Sequence, residues 1–253
     1  MKDHQETAPE AQNEISGNQL FLFPLPISEN PEFPEYIGNF SKELLLQCKL
    51  IFAENERTAR RFLSSLKLGI RLDEIQIERI DKDSGARETE NGVRLIREKG
   101  PALLMSEAGC PAIADPGAIL VDACHRHGIR VIPLAGPSSI FLGLMASGLS
   151  GQNFAFHGYL PVDKAECARK IRQLESDSFR ENRTQIFIET PYRNAAIWDR
   201  LLENLSPGSR LAFASGMGGP SEDIQQKKVS EWKNGRSPEW KKVPAVFLFL
   251  AGK

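Results

Sequence analysis

Apolar residues recur along this chain in short runs, and between the runs the apolar positions follow a helical period. In the first half the runs are Leu20–Leu25, Leu50–Ala53, Ile75–Ile80, Ala102–Met105 and Ile129–Leu134. Short apolar runs bounded by polar segments predict strands. The stretches near 35–47, 56–67, 88–98 and 117–127 predict helices. In the last of these, Ile119, Leu120, Ala123 and Cys124 form one apolar stripe. Strand alternating with helix predicts an α/β fold with a mainly parallel sheet.

After the break at Gly148–Gly151 the rhythm changes. Strands are expected at Phe154–Tyr159, Gln185–Glu189, Leu211–Ala214, Asp223–Val229 and Val243–Leu250, and helices near 164–176 and 193–205. Closer strands and fewer helices predict a mixed sheet with hairpins. Residues 1–18 are polar, acidic and aperiodic, as in a disordered tail. The expected organisation is a tail over 1–18, an α/β domain over 19–136 and a second over 137–253, with a ligand cleft between the two.

Charge sharpens this division. Net charge is −1, but residues 1–163 hold 16 Lys+Arg against 22 Asp+Glu, and residues 164–253 hold 16 against 11. The basic second half suits contact with phosphates, but on charge alone the solvation of one domain is the favoured reading. The four cysteines lack the paired spacing of a disulfide scaffold or a zinc site, so no metal is expected. No apolar run approaches the roughly 20 residues that span a bilayer, and residues 1–18 lack a signal-peptide core. A soluble, cytoplasmic protein is the expectation.

Candidate chemistry concentrates in two glycine–proline loops, each following an apolar run. The first is Ser106-Glu107-Ala108-Gly109-Cys110-Pro111-Ala112-Ile113-Ala114-Asp115-Pro116-Gly117, and the second is Pro133-Leu134-Ala135-Gly136-Pro137-Ser138-Ser139. Ligands of open α/β sheets bind outside the carboxyl ends of strands, where such loops lie. Glycine lets the backbone approach a ligand, and proline fixes a turn without adding a donor. Ser138 and Ser139 suit either a helix cap or a ligand carboxylate. After the first strand, Pro24-Leu25-Pro26-Ile27-Ser28-Glu29-Asn30 contains no glycine, which argues against a dinucleotide-type fingerprint. Ala53-Glu54-Asn55-Glu56-Arg57 places an acid near a base, to orient a hydroxyl or bind phosphate, or simply to open a helix capped by Asn55. His157 reads as a general base or as a packed side chain.

These loops resemble the tetrapyrrole methylase superfamily of S-adenosylmethionine (SAM) methyltransferases, and most nearly its branch that methylates a ribose 2′-hydroxyl of small-subunit ribosomal RNA. That branch reads Ser-Asp-Ala-Gly-Thr/Ser-Pro, then Asp-Pro-Gly, then Pro-x-Pro-Gly-Pro. Ser106, Ala108, Gly109, Pro111, Asp115, Pro116, Gly117, Pro133, Gly136 and Pro137 match in order and spacing. Further matches are Ala53, Glu54 and Arg57; Gly158, Leu160 and Pro161; and Phe187, Glu189 and Arg193. The chain departs from the branch at Glu107, Cys110 and Ala135. It also lacks the branch's histidine cluster, reading Glu78-Arg79-Ile80-Asp81-Lys82-Asp83-Ser84 there. An Arg-Glu pair and a Lys are replaced by Phe213-Ala214-Ser215-Gly216-Met217-Gly218-Gly219.

The resemblance implies a two-domain fold with the cofactor cleft between a mainly parallel and a mixed sheet, and a SAM-dependent methyltransferase acting on ribosomal RNA. It implies SAM contacts from Pro26, Ser106, Glu107, Gly109, Ile113 and Ala114. Further contacts are implied from Gly136, Pro137, Ser138 and Ser139, and from Tyr159, Leu160, Pro191, Ala214 and Pro244. Glu54 and Glu107 are the candidate bases, since a ribose hydroxyl must lose a proton. A homodimer is expected on the same ground. Methylation of a small molecule such as a tetrapyrrole stays open, as does a SAM- or RNA-binding relative without catalysis, because the charged groups above are missing.

Overall fold

The computed structural model describes Ile15 and residues 17–28, 37–240 and 242–252. The tail expected over 1–18 falls, apart from Ile15, Gly17 and Asn18, outside the described residues, as do Glu29, Asn30 and positions 35–36 of the first helix. The chain divides into two compact units.

In the first unit, five strands form a parallel sheet in the order β3-β2-β4-β1-β5. They are β1 (Gln19–Phe23), β2 (Leu50–Ala53), β3 (Gln76–Arg79), β4 (Ala102–Met105) and β5 (Arg130–Pro133). The uninterrupted runs of β2 and β4 are buried at every position, whereas β3 and β5 are partly exposed along their length and lie at the edges. A strand covered on both faces needs apolar side chains throughout; an edge strand does not. The helices between them are α1 (Asn39–Gln47), α2 (Glu56–Ser65), α3 (Ala86–Lys99) and α4 (Ala118–Arg126). One core joins Leu20, Leu50, Phe52 and Leu104 of the sheet to Val93 and Ile96 of α3 and to Leu120, Ala123 and Cys124 of α4. Burial pushes the Cys124 thiol up to about 11 and that of Cys48 up to about 12. Strand order determines where a ligand crevice opens. The chain leaves β1 for β2, which lies beyond β4, and leaves β4 for β5, which lies beyond β1. The two connections run in opposite directions along the sheet, so the carboxyl ends of β1 and β4 flank a topological switch point.

In the second unit the order is β6-β7-β10-β8-β9, made of β6 (Phe154–Phe156), β7 (Thr184–Glu189), β8 (Arg210–Ser215), β9 (Asp223–Lys228) and β10 (Ala245–Leu250). Only β6 and β7 pair in parallel, and β8 and β9 form a hairpin. Successive side chains of β10 alternate between two cores. Phe247 and Phe249 meet Phe187, Phe213 and the helices α6 (Lys164–Glu181), α7 (Asn194–Asn204) and α8 (Val229–Asn234). Val246 and Leu248 meet Ile186, Ala212 and Ala214 beneath α5 (Ser139–Ser147). An aromatic group of Trp198, Trp232, Trp240 and Phe213 fills the first core, and the Trp232 indole donates to the Leu211 carbonyl at 2.9 Å.

Some boundaries differ from the sequence reading, for local reasons. β6 stops at Phe156 because the backbone turns at Gly158, where φ is 64°. Strand β10 begins only at Ala245, after a proline that has no N–H for the ladder. At its far end, α6 continues to Glu181 and stops at Asn182 in the left-handed region. The six-residue α8 was too short to leave a period. Its start is fixed instead by Glu231, whose carboxylate accepts the Lys228 N–H at 2.9 Å.

Candidate functional site

Three carboxylates associate in the first unit where β2 and β4 end. Glu54 follows β2 directly. Asn55 then caps α2, accepting from the N–H groups of Arg57 at 2.9 Å and Thr58 at 3.4 Å. Of the two readings of this segment, the cap is therefore the role Asn55 performs. Capping also aims Thr58, whose hydroxyl donates to the Glu107 carboxylate at 3.2 Å. Glu107 is exposed and follows the buried Ser106 at the end of β4. Asp115 completes the group. Burial, then the negative charges of Glu54 and Glu107, push its pKa from 3.8 up to about 6. Sequence alone points to Glu54 and Glu107 as bases; Asp115, marked there only by its Asp-Pro-Gly setting, joins them in the fold.

The loop carrying Asp115 is held in an unusual backbone conformation. Ala112 and Ala114 take φ values of 65° and 62°, and Gly117 takes 126°. Left-handed alanines cost about 1 kcal/mol or more each, and such strain gathers at ligand sites. Between them Ile113 is 48 % exposed. Gly117 has a second reason to be glycine, since a Cβ there would lie 2.8 Å from Leu104 Cδ2.

Four loops distant in sequence meet within the second unit. Leu25 and Gly109 exchange backbone hydrogen bonds, both 2.9 Å. The Cys110 thiol donates to the Pro137 carbonyl at 3.4 Å, and a Cβ on Gly109 would lie 3.5 Å from that same oxygen. Ser28 donates to the Gly218 carbonyl at 2.9 Å. The segments Leu25–Ser28, Ala108–Cys110, Gly136–Ser139 and Met217–Gly219 thus form one neighbourhood, which contains Pro26, Gly109, Gly136, Pro137, Ser138 and Ser139. Ser138 precedes α5, is 9 % exposed, and makes no side-chain cap bond. Capping, one of its two readings, is not what its hydroxyl does. The Ser28–Gly218 contact joins residues 190 apart and left no local signal.

The remaining positions lie at one end of the second sheet. Ala245 pairs with both Glu189 and Ser215, and the Ile188 N–H donates to the Gly158 carbonyl at 2.9 Å. Tyr159, Pro191 and Pro244 therefore share that end, with Tyr159 54 % exposed. Leu160 is buried in the core, and Ala214 lies in the sheet beneath α5. The Glu189–Arg193 match is a clamp. The guanidinium lies 3.2 Å from the buried carboxylate and donates to the carbonyls of Leu160 and Pro161, both at 3.3 Å. His157 Nε2 lies 2.6 Å from Gln185 Oε1, and burial lowers its pKa, which fits the packed reading.

Among the described residues no cluster of His, Cys, Asp or Glu is arranged to hold a metal ion, and no helix is long and apolar enough to cross a membrane. The sequence profile of the Tetrapyrrole (Corrin/Porphyrin) Methylases matches residues 34–233. The protein named Ribosomal RNA small subunit methyltransferase I from Buchnera aphidicola subsp. Acyrthosiphon pisum is 28 % identical over 223 residues, 87 % of this chain and 74 % of that protein. Its namesake from Escherichia coli O157:H7 is 31 % identical over 193 residues, 76 % of this chain. The match spans 61 % of the Escherichia coli protein, less than two thirds of its length. The fold is shared with the methyltransferase CobJ, at a TM-score of 0.59 and 16 % identity, over 93 % of this chain and 95 % of that one. The profile match, which takes in both glycine–proline loops and Glu54, Glu107 and Asp115, makes this chain a member of the tetrapyrrole methylase family of SAM-dependent methyltransferases.

Proposed function

We propose that this protein transfers the methyl group of SAM to a ribose 2′-hydroxyl of small-subunit ribosomal RNA. The observation that carries the reading is the carboxylate group of Glu54, Glu107 and Asp115 at the ends of β2 and β4. A hydroxyl acceptor must lose its proton as the new carbon–oxygen bond forms, and a nearby carboxylate accepts it. Asp115, with a pKa of about 6, is ionised and competent for this at neutral pH. The names of the Buchnera and Escherichia coli relatives support the RNA substrate.

The loops suit the methyl donor. Ser138 offers an uncommitted hydroxyl ahead of α5, where helix amides favour a carboxylate such as that of the SAM amino-acid tail. Gly136 is exposed and presents backbone without a side chain. When bound, SAM supplies an electrophilic methyl group on a positively charged sulfur. Holding the hydroxyl in line with that methyl group is the main task left to the protein. On this reading the SAM contacts fall to Pro26, Ser106, Glu107, Gly109, Ile113, Ala114, Gly136, Pro137, Ser138, Ser139, Tyr159, Leu160, Pro191, Ala214 and Pro244, and Glu54, Glu107 and Asp115 handle the proton. The division into domains at 19–136 and 137–253, a two-fold homodimer and action in the cytoplasm belong to the same proposal.

A specific observation favours a second reading. The segment Phe213–Gly219 is neutral where the RNA-methylating branch carries charge, which fits a small acceptor such as a tetrapyrrole. The test uses methyl-labelled SAM and 30S subunits from a strain lacking this gene. Label in the RNA, lost in Gly136→Leu together with SAM binding, is the expected result. Calorimetric SAM binding without label in RNA transfers the assignment to a small acceptor or to a relative without catalysis.

A further inference from the structure

One strand pair of the second unit sets positive charge against positive charge. On the β8–β9 ladder Arg210 stands directly opposite Lys228, and Leu211 opposite Lys227. Like charges in that relation destabilise an antiparallel pair. No carboxylate relieves them. Among the described residues Lys227, Lys228, Lys233 and Lys242 form no ion pair, and Arg210 donates to the Gly148 carbonyl at 3.5 Å. The nearby acids are engaged elsewhere. Glu231 accepts the Lys228 N–H at 2.9 Å, Glu239 pairs with Arg236 at 2.5 Å, and Asp223 accepts from Gln225 at 2.9 Å. Residues 225–242 contain six Lys or Arg against two Glu.

Lysines on an edge strand also discourage strand-to-strand association, and β9 is an edge strand. That explains Lys227 and Lys228 but not Arg210 on β8, Lys233 on α8 or Lys242 beyond it. Lys227 is further distinguished by its ammonium, which rests 4.4 Å from the centre of the Trp232 ring. Cations without carboxylate partners, gathered at the end of an edge strand and along the segment that follows it and retained at a cost to the ladder, need an anionic partner. Strand β9 also begins beside the Gly216–Glu222 loop, which Ser28 ties to the candidate donor site. At a strand rise of about 3.4 Å per residue, its six residues place Lys228 about 17 Å from that loop. A nucleic-acid strand at about 3.4 Å of axis per charge crosses that distance in about five nucleotides.

We propose that β9, α8 and the segment to Lys242, together with Arg210, form a track for the phosphodiester backbone of the RNA acceptor. Arg210, Lys228, Lys233 and Lys242 are the phosphate contacts. This rests on the RNA reading above and adds the surface that holds the substrate. The contacts carry no sequence information; they fix the register in which the RNA reaches the site.

The experiment measures binding of a fluorescent small-subunit rRNA fragment across a salt series for wild type and two variants. One combines Lys228→Gln, Lys233→Gln and Lys242→Gln; the other combines Lys164→Gln and Lys170→Gln on α6. Each phosphate contact to a single strand contributes about 0.7 to the log–log salt slope. The triple variant is expected to lose about 2 from that slope and about tenfold or more in affinity, with SAM affinity unchanged and the α6 variant like wild type. A slope that survives in the triple variant, or falls equally in the α6 variant, overturns the track while leaving RNA methylation standing. RNA binding that depends on the track but brings no label from SAM into the RNA upholds the track and removes the RNA methyltransferase reading. A wild-type protein that binds no RNA overturns both.

Discussion

At Asp115 the cost of burying a carboxylate and the repulsion of Glu54 and Glu107 act in the same direction. The folded protein therefore holds the Asp115 proton more tightly than the unfolded chain does. That contribution to stability is complete below pH 3.8 and is lost as pH rises through about 6. Transferred fully to folding, the shift would amount to about 3 kcal/mol; screening of a partly exposed group reduces this to about 1–2 kcal/mol. Asp115→Asn should accordingly raise stability to urea by that amount at pH 7.5 and leave it unchanged near pH 4, while slowing methyl transfer. A variant equal to wild type in urea at both pH values would remove the strained ionisation on which the role of Asp115 rests. Glu54 and Glu107 were legible because each directly follows an apolar run or its last serine. Asp115 sits ten residues beyond β4, and only the folded loop returns it to them.

At the scale of elements, the Glu189–Arg193 clamp joins the end of β7 to the loop after β6 and to the start of α7. Glu189 is 2 % exposed, while the Arg193 side chain keeps 27 % exposure. Breaking a fully buried pair costs about 3–5 kcal/mol, and partial exposure lowers this to about 2–3 kcal/mol for Glu189→Ala. Thermal unfolding checks the loss. Glu189→Gln, which retains the acceptor for the Thr190 N–H now made at 2.8 Å, should recover part of it. Equal losses in the two variants would mean that the charge, and not the hydrogen bonds, holds the corner. Here the sequence motif was visible but its purpose was not. A Glu and an Arg four residues apart suggest a catalytic pair as readily as a clamp, and only the partners at Leu160 and Pro161 decide.

For the molecule as a whole, the parallel order β3-β2-β4-β1-β5 opens a crevice between β1 and β4, and the two glycine–proline loops follow β4 and β5. The family pattern was densest there because backbone that must approach a ligand tolerates few residue types. Static light scattering checks the proposed assembly. A mass of twice 28.2 kDa is expected, and a single-chain mass at micromolar concentration would discard the dimer.

The sequence by itself determined the alternation of strands and helices, the change of rhythm after Gly151 and the family. All of these are written in neighbouring residues, through side-chain period, turn chemistry and the order of a motif. The tertiary structure decided the assembly of Glu54, Glu107 and Asp115, the tie from Ser28 to Gly218 and the facing of Arg210 on Lys228. Each joins residues between 8 and 190 positions apart, and no local pattern records such a meeting. Local propensity fixes what a segment becomes; burial and strand order fix which segments share a site.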